Sequence, residues 1–341
     1  MSSSQVVVGL IGAGRIGRLH AEHLRCRLPQ ADLVAVADVQ ERAAQSCAER
    51  FQIPRHTADY RAVLAEAKVQ AVVICSSTDT HARLIEEAAA AGKHIFCEKP
   101  IAADLTRIDH ALAAVDRAGV ILQVGFNRRF DPNFRRVRQA VVTGEIGVPH
   151  QLRITSRDPA PPPIDYVRRS GGMFMDMTIH DFDMARFLIG AEVEEIYAAG
   201  GVRVDPAIGE AGDLDTATIL LKFANGVMGT IENCRQAAYG YDQRVEVFGS
   251  RGSISADNNY PNNAMVSGKD RVYRDLPLNF FMHRYTESYL RELDEFLQAV
   301  LAGGPSPLSG AEGRAPVVMA QAARRSWELN RPVRLNEIDP G

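Results

Sequence analysis

The sequence predicts two domains within its 341 residues. Residues 1–124 read as a doubly wound α/β domain with a parallel sheet, and residues 125–341 as an α+β domain on a large, open, mostly antiparallel sheet. Three observations predict this. Over the first 125 residues, short and nearly all-apolar runs alternate with helical patterns, as in parallel strands covered on both faces. A glycine fingerprint follows the first of those runs. Beyond Gly125 the runs turn to alternating patterns punctuated by turn residues, which suit half-exposed strands.

The strand candidates of the first half are 6–11, 33–37, 71–75, 94–97 and 120–124. Between them, 15–28, 41–51, 80–91 and 104–118 carry helical periodicity, the last with Leu105, Ile108, Leu112 and Val115 on one stripe. In the second half the candidates are 151–156, 195–204, 214–223, 227–233 and 243–248, with Asn225-Gly226 as a strong hairpin turn. Two helices, 172–189 and 285–301, are expected to cover one face of that sheet. The other face, left apolar, is expected to meet further copies of the chain. A C-terminal helix at about 312–330 is expected to pack back on the first domain. The segment Asp158-Pro159-Ala160-Pro161-Pro162-Pro163 cannot be regular structure, because proline lacks the donor N–H and restricts its predecessor.

Composition excludes several classes. A hydrophobic share of 46% with 24% charged residues describes a folded globular chain. Lys and Arg number 39 against 42 Asp and Glu, a balance too even to concentrate a polyanion or hold an anionic membrane, so no nucleic acid and no membrane partner is expected. No run approaches the roughly 18 apolar residues of a membrane span, and no basic segment precedes an apolar stretch at the start, so the expected location is cytoplasmic. Five cysteines, none in CxxC spacing, read as thiols and exclude a zinc ribbon.

Gly9-Leu10-Ile11-Gly12-Ala13-Gly14-Arg15-Ile16-Gly17 places G-x-G-x-x-G, residues 12–17, directly after a strand and at a helix start. There, free backbone N–H groups and the helix dipole hold a pyrophosphate. About 20 residues on, the run 33–37 ends in Asp38, whose carboxylate can accept both hydroxyls of an adenosine ribose. A bare helix-capping Asp is the alternative. That charge repels a 2′-phosphate and Val39 offers no compensating cation, so NAD is preferred over NADP, with Arg42 as the one nearby cation. Ser76, Ser77, Thr78 and His81 follow the strand 71–75 at the same sheet edge and are assigned to the cofactor, although Asp79 or Thr80 could simply cap the next helix. Glu98 and Lys99 come straight off the strand 94–97, again at the carboxyl edge, where Lys99 would project its amine into the cofactor crevice of this Rossmann domain; one surface lysine among many is the alternative.

In the second half, Asp176 and His180 fall four apart on a helical pattern and so on one face. They could be an acid/base pair, a satisfied core His–Asp hydrogen bond, a solvated face or a metal half-site. No further Cys or His completes a ligand set, so no metal is expected.

In order along the chain, Gly12 to Gly17, Glu98-Lys99-Pro100, Gly125-Phe126-Asn127-Arg128-Arg129-Phe130-Asp131 and Asp176-Met177-Thr178-Ile179-His180-Asp181-Phe182-Asp183 resemble the motifs of the Gfo/Idh/MocA oxidoreductases over essentially the whole length. Within that family, residues 171–188, Asn233-Cys234 and Tyr239-Gly240-Tyr241-Asp242 look most like bacterial inositol 2-dehydrogenases. The resemblance implies that Lys99, Asp176 and His180 are catalytic. It implies that Asn127, Arg128, Asp158 and Tyr241 touch the polyol or the nicotinamide end, that the Lys99–Pro100 bond is cis, and that the assembly is a homotetramer. It departs from the family at the proline-rich loop and at Gln236-Ala237-Ala238. The implied reaction is NAD-dependent oxidation of a secondary hydroxyl of a cyclic polyol, myo- or scyllo-inositol to the keto-inositol. His180 would act as base, Lys99 would steady the alkoxide, and Asp176 would hold Lys99 or a substrate hydroxyl. An aldose dehydrogenase, an NAD-dependent glycosidase and a non-catalytic NAD sensor are the alternatives.

Overall fold

The computed structural model describes residues 5–340. The chain forms two compact units, Met1–Asn127 with Glu287–Ala315, and Arg128–Thr286 with Pro316–Gly341.

In the first unit six strands, β1 (Val6–Ile11), β2 (Ala31–Ala37), β3 (Arg55–Thr57), β4 (Ala71–Ile74), β5 (His94–Glu98) and β6 (Leu122–Gly125), pair in parallel in the order β3-β2-β1-β4-β5-β6. This is the doubly wound arrangement expected, with the order reversing between β1 and β4. β4 is buried at every position, as a strand covered on both faces must be. The helix Leu105–Ala118 starts where Asp104 accepts from the Arg107 N–H and stops where Gly119 turns left-handed at φ 64°. The three-residue β3 and the short helix Tyr60–Leu64 are too brief to leave a periodic signal.

One expectation is corrected in this unit. The helix Thr286–Ala302 does not cover the antiparallel sheet. Its Leu293, Phe296 and Leu297 share the core of Val6, Leu10, Leu33 and Phe96, with Phe296 and Phe96 edge to face at 5.9 Å. The amphipathic stripe was legible, but which of two apolar sheets it serves is not written in its period.

The second unit holds β7 (Pro149–Arg157), β8 (Val193–Gly201), β9 (Thr216–Phe223), β10 (Met228–Cys234), β11 (Asp242–Gly249), β12 (Gly252–Ala256), the hairpin β13 (Met265–Ser267) and β14 (Val272–Arg274), and β15 (Val333–Arg334). Seven of these form one sheet in the order β12-β11-β7-β10-β9-β8-β15, antiparallel except where β10 runs parallel to β7. The Asn225-Gly226 turn joins β9 to β10 as expected, with Gly226 at φ 86°. β8 stops at Gly201, three residues short of the expected end, because Asp205 caps the helix Pro206–Glu210.

The helical stretch expected over 172–189 is two pieces, a π-helical turn Phe174–Thr178 and an α-helix Ile179–Ile189 that packs on β7. The last helix, Gly310–Leu329, sets Gly310 against Leu112 and Leu122 and Gly313 against Val124. From Pro316 on it belongs to the second unit, where Ser326 Oγ accepts from the Ala198 N–H and the Trp327 indole donates to the Gly200 carbonyl. No helix among the described residues is long and apolar enough to cross a membrane.

Candidate active site

In the first unit the residues assigned to the dinucleotide lie at the carboxyl ends of β1, β2, β4 and β5, around the reversal of strand order. Gly12 turns at φ 102°, and a Cβ there would lie 2.5 Å from the Cys75 backbone. A Cβ on Gly17 would lie 1.9 Å from the Gly12 carbonyl oxygen, so both positions require glycine. Gly14 opens the helix Arg15–Cys26 with no side-chain cap, its first turn holds no acidic residue, and a Cβ on Gly14 would meet nothing within 4 Å. That leaves an open approach to the helix N-terminus, which suits a diphosphate. Asp38 Oδ2 accepts from the Ala13 N–H at 2.8 Å and Oδ1 from the Gln40 N–H at 2.8 Å, which fixes the carboxylate beside the fingerprint, while Val39 stands 87% exposed. This donor and acceptor set fits a dinucleotide: the backbone of Ala13, Gly14, Arg15 and Ile16 for the diphosphate, Asp38 for the ribose.

Ser77 precedes the helix Thr78–Ala90, and Ser76 Oγ and Thr80 Oγ1 are 2.6 Å apart. His81 is buried with Nδ1 2.8 Å from the Pro100 carbonyl and Nε2 3.0 Å from the Ser76 carbonyl, so it braces the loop after β4 to the loop after β5. Lys99 is half-buried just beyond β5, and the Lys99–Pro100 peptide is cis. Asn127 is buried, and its Nδ2 has no partner among the described residues. A donor left in that state fits a bound ligand at the end of β6.

The second unit gathers the residues assigned to the polyol for a topological reason. β7 and β10 run parallel and β11 antiparallel to β7, so the C-terminal ends of β7 and β10 and the start of β11 share one edge of the sheet. Asp158, Arg235 and Tyr241 sit one residue beyond those three ends. Above them, the π-turn and the helix after it bring Asp176, His180 and Asp181. Asp176 Oδ1 accepts from the Tyr166 hydroxyl at 2.8 Å and Oδ2 from Arg235 Nη1 at 2.9 Å, and the same Nη1 is 3.6 Å from Asp158 Oδ2. Arg128 Nη1 donates to Asp181 Oδ1 at 2.6 Å and Nη2 to the Tyr241 hydroxyl at 3.4 Å. Asn233 Nδ2 donates to Asp181 Oδ2 at 2.8 Å and Thr178 Oγ1 to Asn233 Oδ1 at 2.6 Å.

Burial pushes the Asp158 carboxyl up to about 6, against the pull of Arg235 and with the Asp176 charge adding to the rise. Burial likewise pushes the Tyr166 and Tyr241 hydroxyls up, so both stay protonated donors. His180 is half-buried at the start of the α-helix. A π-turn widens the coil and re-aims the side chains it carries, and such turns concentrate at functional sites. The simple i, i+4 face assigned to Asp176 and His180 is therefore built from two different helix geometries. Lys99 belongs to the first unit and Asp176 and His180 to the second.

Two contributors, Arg235 and Tyr166, were not singled out from the sequence, and Asp181 and Asn233 stood there only within motifs, with no role assigned. Arg235 had a usable signal. In β10 the buried positions are 229, 231 and 233, and continuing that period of two puts Arg235 inward, where it is 3% exposed. Tyr166 had none, because its partner Asp176 is reached through an irregular loop. The first unit also holds a His/Glu/Glu group, His20, Glu98 and Glu292, from two helices and β5.

Two family models match the chain: an oxidoreductase family with an NAD-binding Rossmann fold over residues 6–126, and the GFO/IDH/MocA C-terminal domain over residues 134–255. The chain is 47% identical to a myo-inositol 2-dehydrogenase of Thermotoga maritima, covering 97% of this chain and 99% of that protein. It is 48% identical to an inositol 2-dehydrogenase of Rhizobium meliloti, covering 95% and 98%. The crystal structure of scyllo-inositol dehydrogenase from Lactobacillus casei with bound NAD(H) and scyllo-inositol superposes with a TM-score of 0.91 at 29% identity, covering 97% of this chain and 99% of that one. With both halves matched in order and relatives this similar over nearly full length, the chain belongs to the GFO/IDH/MocA oxidoreductase family.

Proposed function

We propose that this oxidoreductase is an inositol 2-dehydrogenase, which oxidises a secondary hydroxyl of a cyclic polyol, myo- or scyllo-inositol, with NAD as acceptor. The observation that carries the proposal is the polar cluster at one sheet edge of the second unit: Arg128, Asp158, Asp176, Arg235 and Tyr241 offer charged acceptors and donors side by side. A ring bearing hydroxyls all round needs such a mixed set, and a site built to hydrogen-bond hydroxyls discriminates strongly against analogues that lack them. The names of the relatives point the same way.

Bound NAD supplies the hydride acceptor at its nicotinamide ring. His180, neutral, takes the proton from the hydroxyl oxygen of the carbinol being oxidised. The Lys99 ammonium donates a charge-assisted hydrogen bond to the same oxygen and steadies its growing charge. Asp176, held between the Tyr166 hydroxyl and the Arg235 guanidinium, orients the substrate face near His180. Asn127, Arg128, Asp158 and Tyr241 read the remaining hydroxyls. In the first unit Ser76, Ser77, Thr78, His81 and Glu98 shape the cofactor crevice. Asp38, held by two main-chain N–H groups with exposed Val39 beside it, favours NAD over NADP.

The working state is a homotetramer. The outer face of the seven-stranded sheet shows Leu220, Met228 and Phe248 to solvent, and the hairpin β13–β14 shows Met265, Val266, Val272 and Tyr273, apolar side chains that further copies of the chain would cover. Light scattering at micromolar concentration is expected to give four copies. Reduced-cofactor formation is to be followed over a panel of inositols and aldoses with NAD and with NADP. Net NADH production with free inositol supports the proposal. Turnover of aldoses alone, or hydrolysis of glycosides without net NADH, overturns it.

A further inference from the structure

Glu292 is fully buried on the helix Thr286–Ala302, and neither of its carboxyl oxygens has a hydrogen-bond partner among the described residues. The titratable groups facing it are Glu98 at the end of β5, His20 on the helix Arg15–Cys26, and the thiol of Cys75, with Cys97 behind Glu98. Ligand atoms of His20, Glu98 and Glu292 all lie within 4.8 Å of one another. His20 Nε2 and Glu98 Oε1 are 2.8 Å apart, and His20 Nδ1 is buried without a partner. A doubly protonated imidazole would bury an N–H with no acceptor, whereas the neutral tautomer with hydrogen on Nε2 donates to an ionised Glu98 and leaves only a lone pair bare. The negative charge of this group therefore sits on Glu98. A second carboxylate beside it, with no donor and no cation, is untenable in a buried site.

We propose that Glu292 is a proton-holding residue: it keeps a carboxylic proton at neutral pH, so that Glu98 alone carries charge and binds His20, and through Glu98 the group positions Lys99. The connection is short. Glu98 is the residue before Lys99, and His20 lies on the helix whose first turn carries the dinucleotide fingerprint. The Glu98–His20 bond thus ties the main chain at Lys99 to the cofactor helix. Ionising Glu292 would set two carboxylates against each other for one Nε2–H and loosen that tie. The positioning role rests on the inositol dehydrogenase proposal; the stored proton does not.

The first test is infrared difference spectroscopy of the cofactor-free wild-type protein against Glu292→Gln near neutral pH. A protonated-carboxyl C=O band, sensitive to H/D exchange, is expected in the wild type and absent from the variant. No such band in the wild type overturns the stored proton, whether or not any polyol is turned over. If that variant fails to fold, Glu292→Asp takes its place, and a wild-type carboxyl band that neither shifts nor disappears in it overturns the stored proton. The second test adds Zn²⁺ or Mn²⁺ alone: a rise in melting temperature in the wild type but not in Glu292→Gln would make the group a metal site and overturn the proposal. The third is Glu98→Gln. It is expected to lower kcat about 10–100-fold with polyol KM nearly unchanged, the pattern of a misplaced catalytic amine. An unaltered kcat overturns the positioning role while leaving the infrared result standing.

Discussion

Replacing Arg235 by Met tests whether the carboxylates of the second unit are held as a charge-balanced set. Arg235 is 3% exposed and serves Asp176 at 2.9 Å and Asp158 at 3.6 Å. Methionine keeps most of its length and volume, so the change removes charge more than packing. At an effective dielectric near 20, one pair at about 4 Å is worth about 4 kcal/mol before desolvation is counted, and removing one partner of a buried pair typically costs about 3–5 kcal/mol. A unit of this size loses about 2–4 °C per kcal/mol, so its melting temperature should fall by about 6–20 °C.

The loss must also depend on pH. In the wild type Asp158 already sits at about 6, and without Arg235 it rises further. A carboxyl whose folded pKa is raised adds stability at acid pH that is lost as pH climbs through the folded value. The variant should therefore be closer to wild type at about pH 5 than at about pH 8. Adding Asp158→Asn should recover part of the alkaline loss, because it removes one of the two facing charges. Calorimetry or thermal unfolding at the two pH values, with the double variant as control, provides the measurement. A loss below about 2 °C, or the same loss at both pH values, would refute the charge-balance account.

Three further outcomes are expected. Gly17→Ala must push the Gly12 loop away, so its NAD dissociation constant, measured by fluorescence or calorimetric titration, should rise at least about tenfold. Asp38→Ser combined with Val39→Arg should move the ratio of kcat/KM for NADP over NAD upward by about 100-fold or more, since it exchanges a repelled 2′-phosphate for a paired one; an unchanged ratio contradicts the role given to Asp38. His23 is buried beside His20 and Arg27, and its pKa is lowered to about 4, chiefly by burial, so the folded state keeps it neutral. Its contribution is full above about pH 6.5 and lost as pH falls toward 4, up to about 3 kcal/mol, so urea unfolding of His23→Gln should show a flatter acid slope than the wild type.

Particular residues show what the chain encodes locally. β4 is readable because a strand buried on both faces has to be apolar throughout, and the fingerprint is readable because Gly12 and Gly17 occupy points where any Cβ collides with backbone. Arg235 was legible in principle, from a period of two running one step past its strand. Tyr166 was not, because loop paths leave no period in a sequence. Glu292 was half legible: three residues after Tyr289 and four before Phe296, it falls on the apolar stripe of its helix, but only packing beside β5 gives it a carboxylate for neighbour.

By itself the sequence determined the α/β then α+β order, the dinucleotide fingerprint with Asp38, and the family, since each follows from local sterics, short-range periodicity or ordered motifs. Tertiary structure alone decided that the helix Thr286–Ala302 serves the parallel sheet, that Asp176 rides a π-turn, and that the ends of β7, β10 and β11 bring Asp158, Arg235 and Tyr241 to one edge. Those outcomes depend on which apolar faces meet and which strands pair across long separations, and an amphipathic stripe specifies that it must be buried without specifying against what.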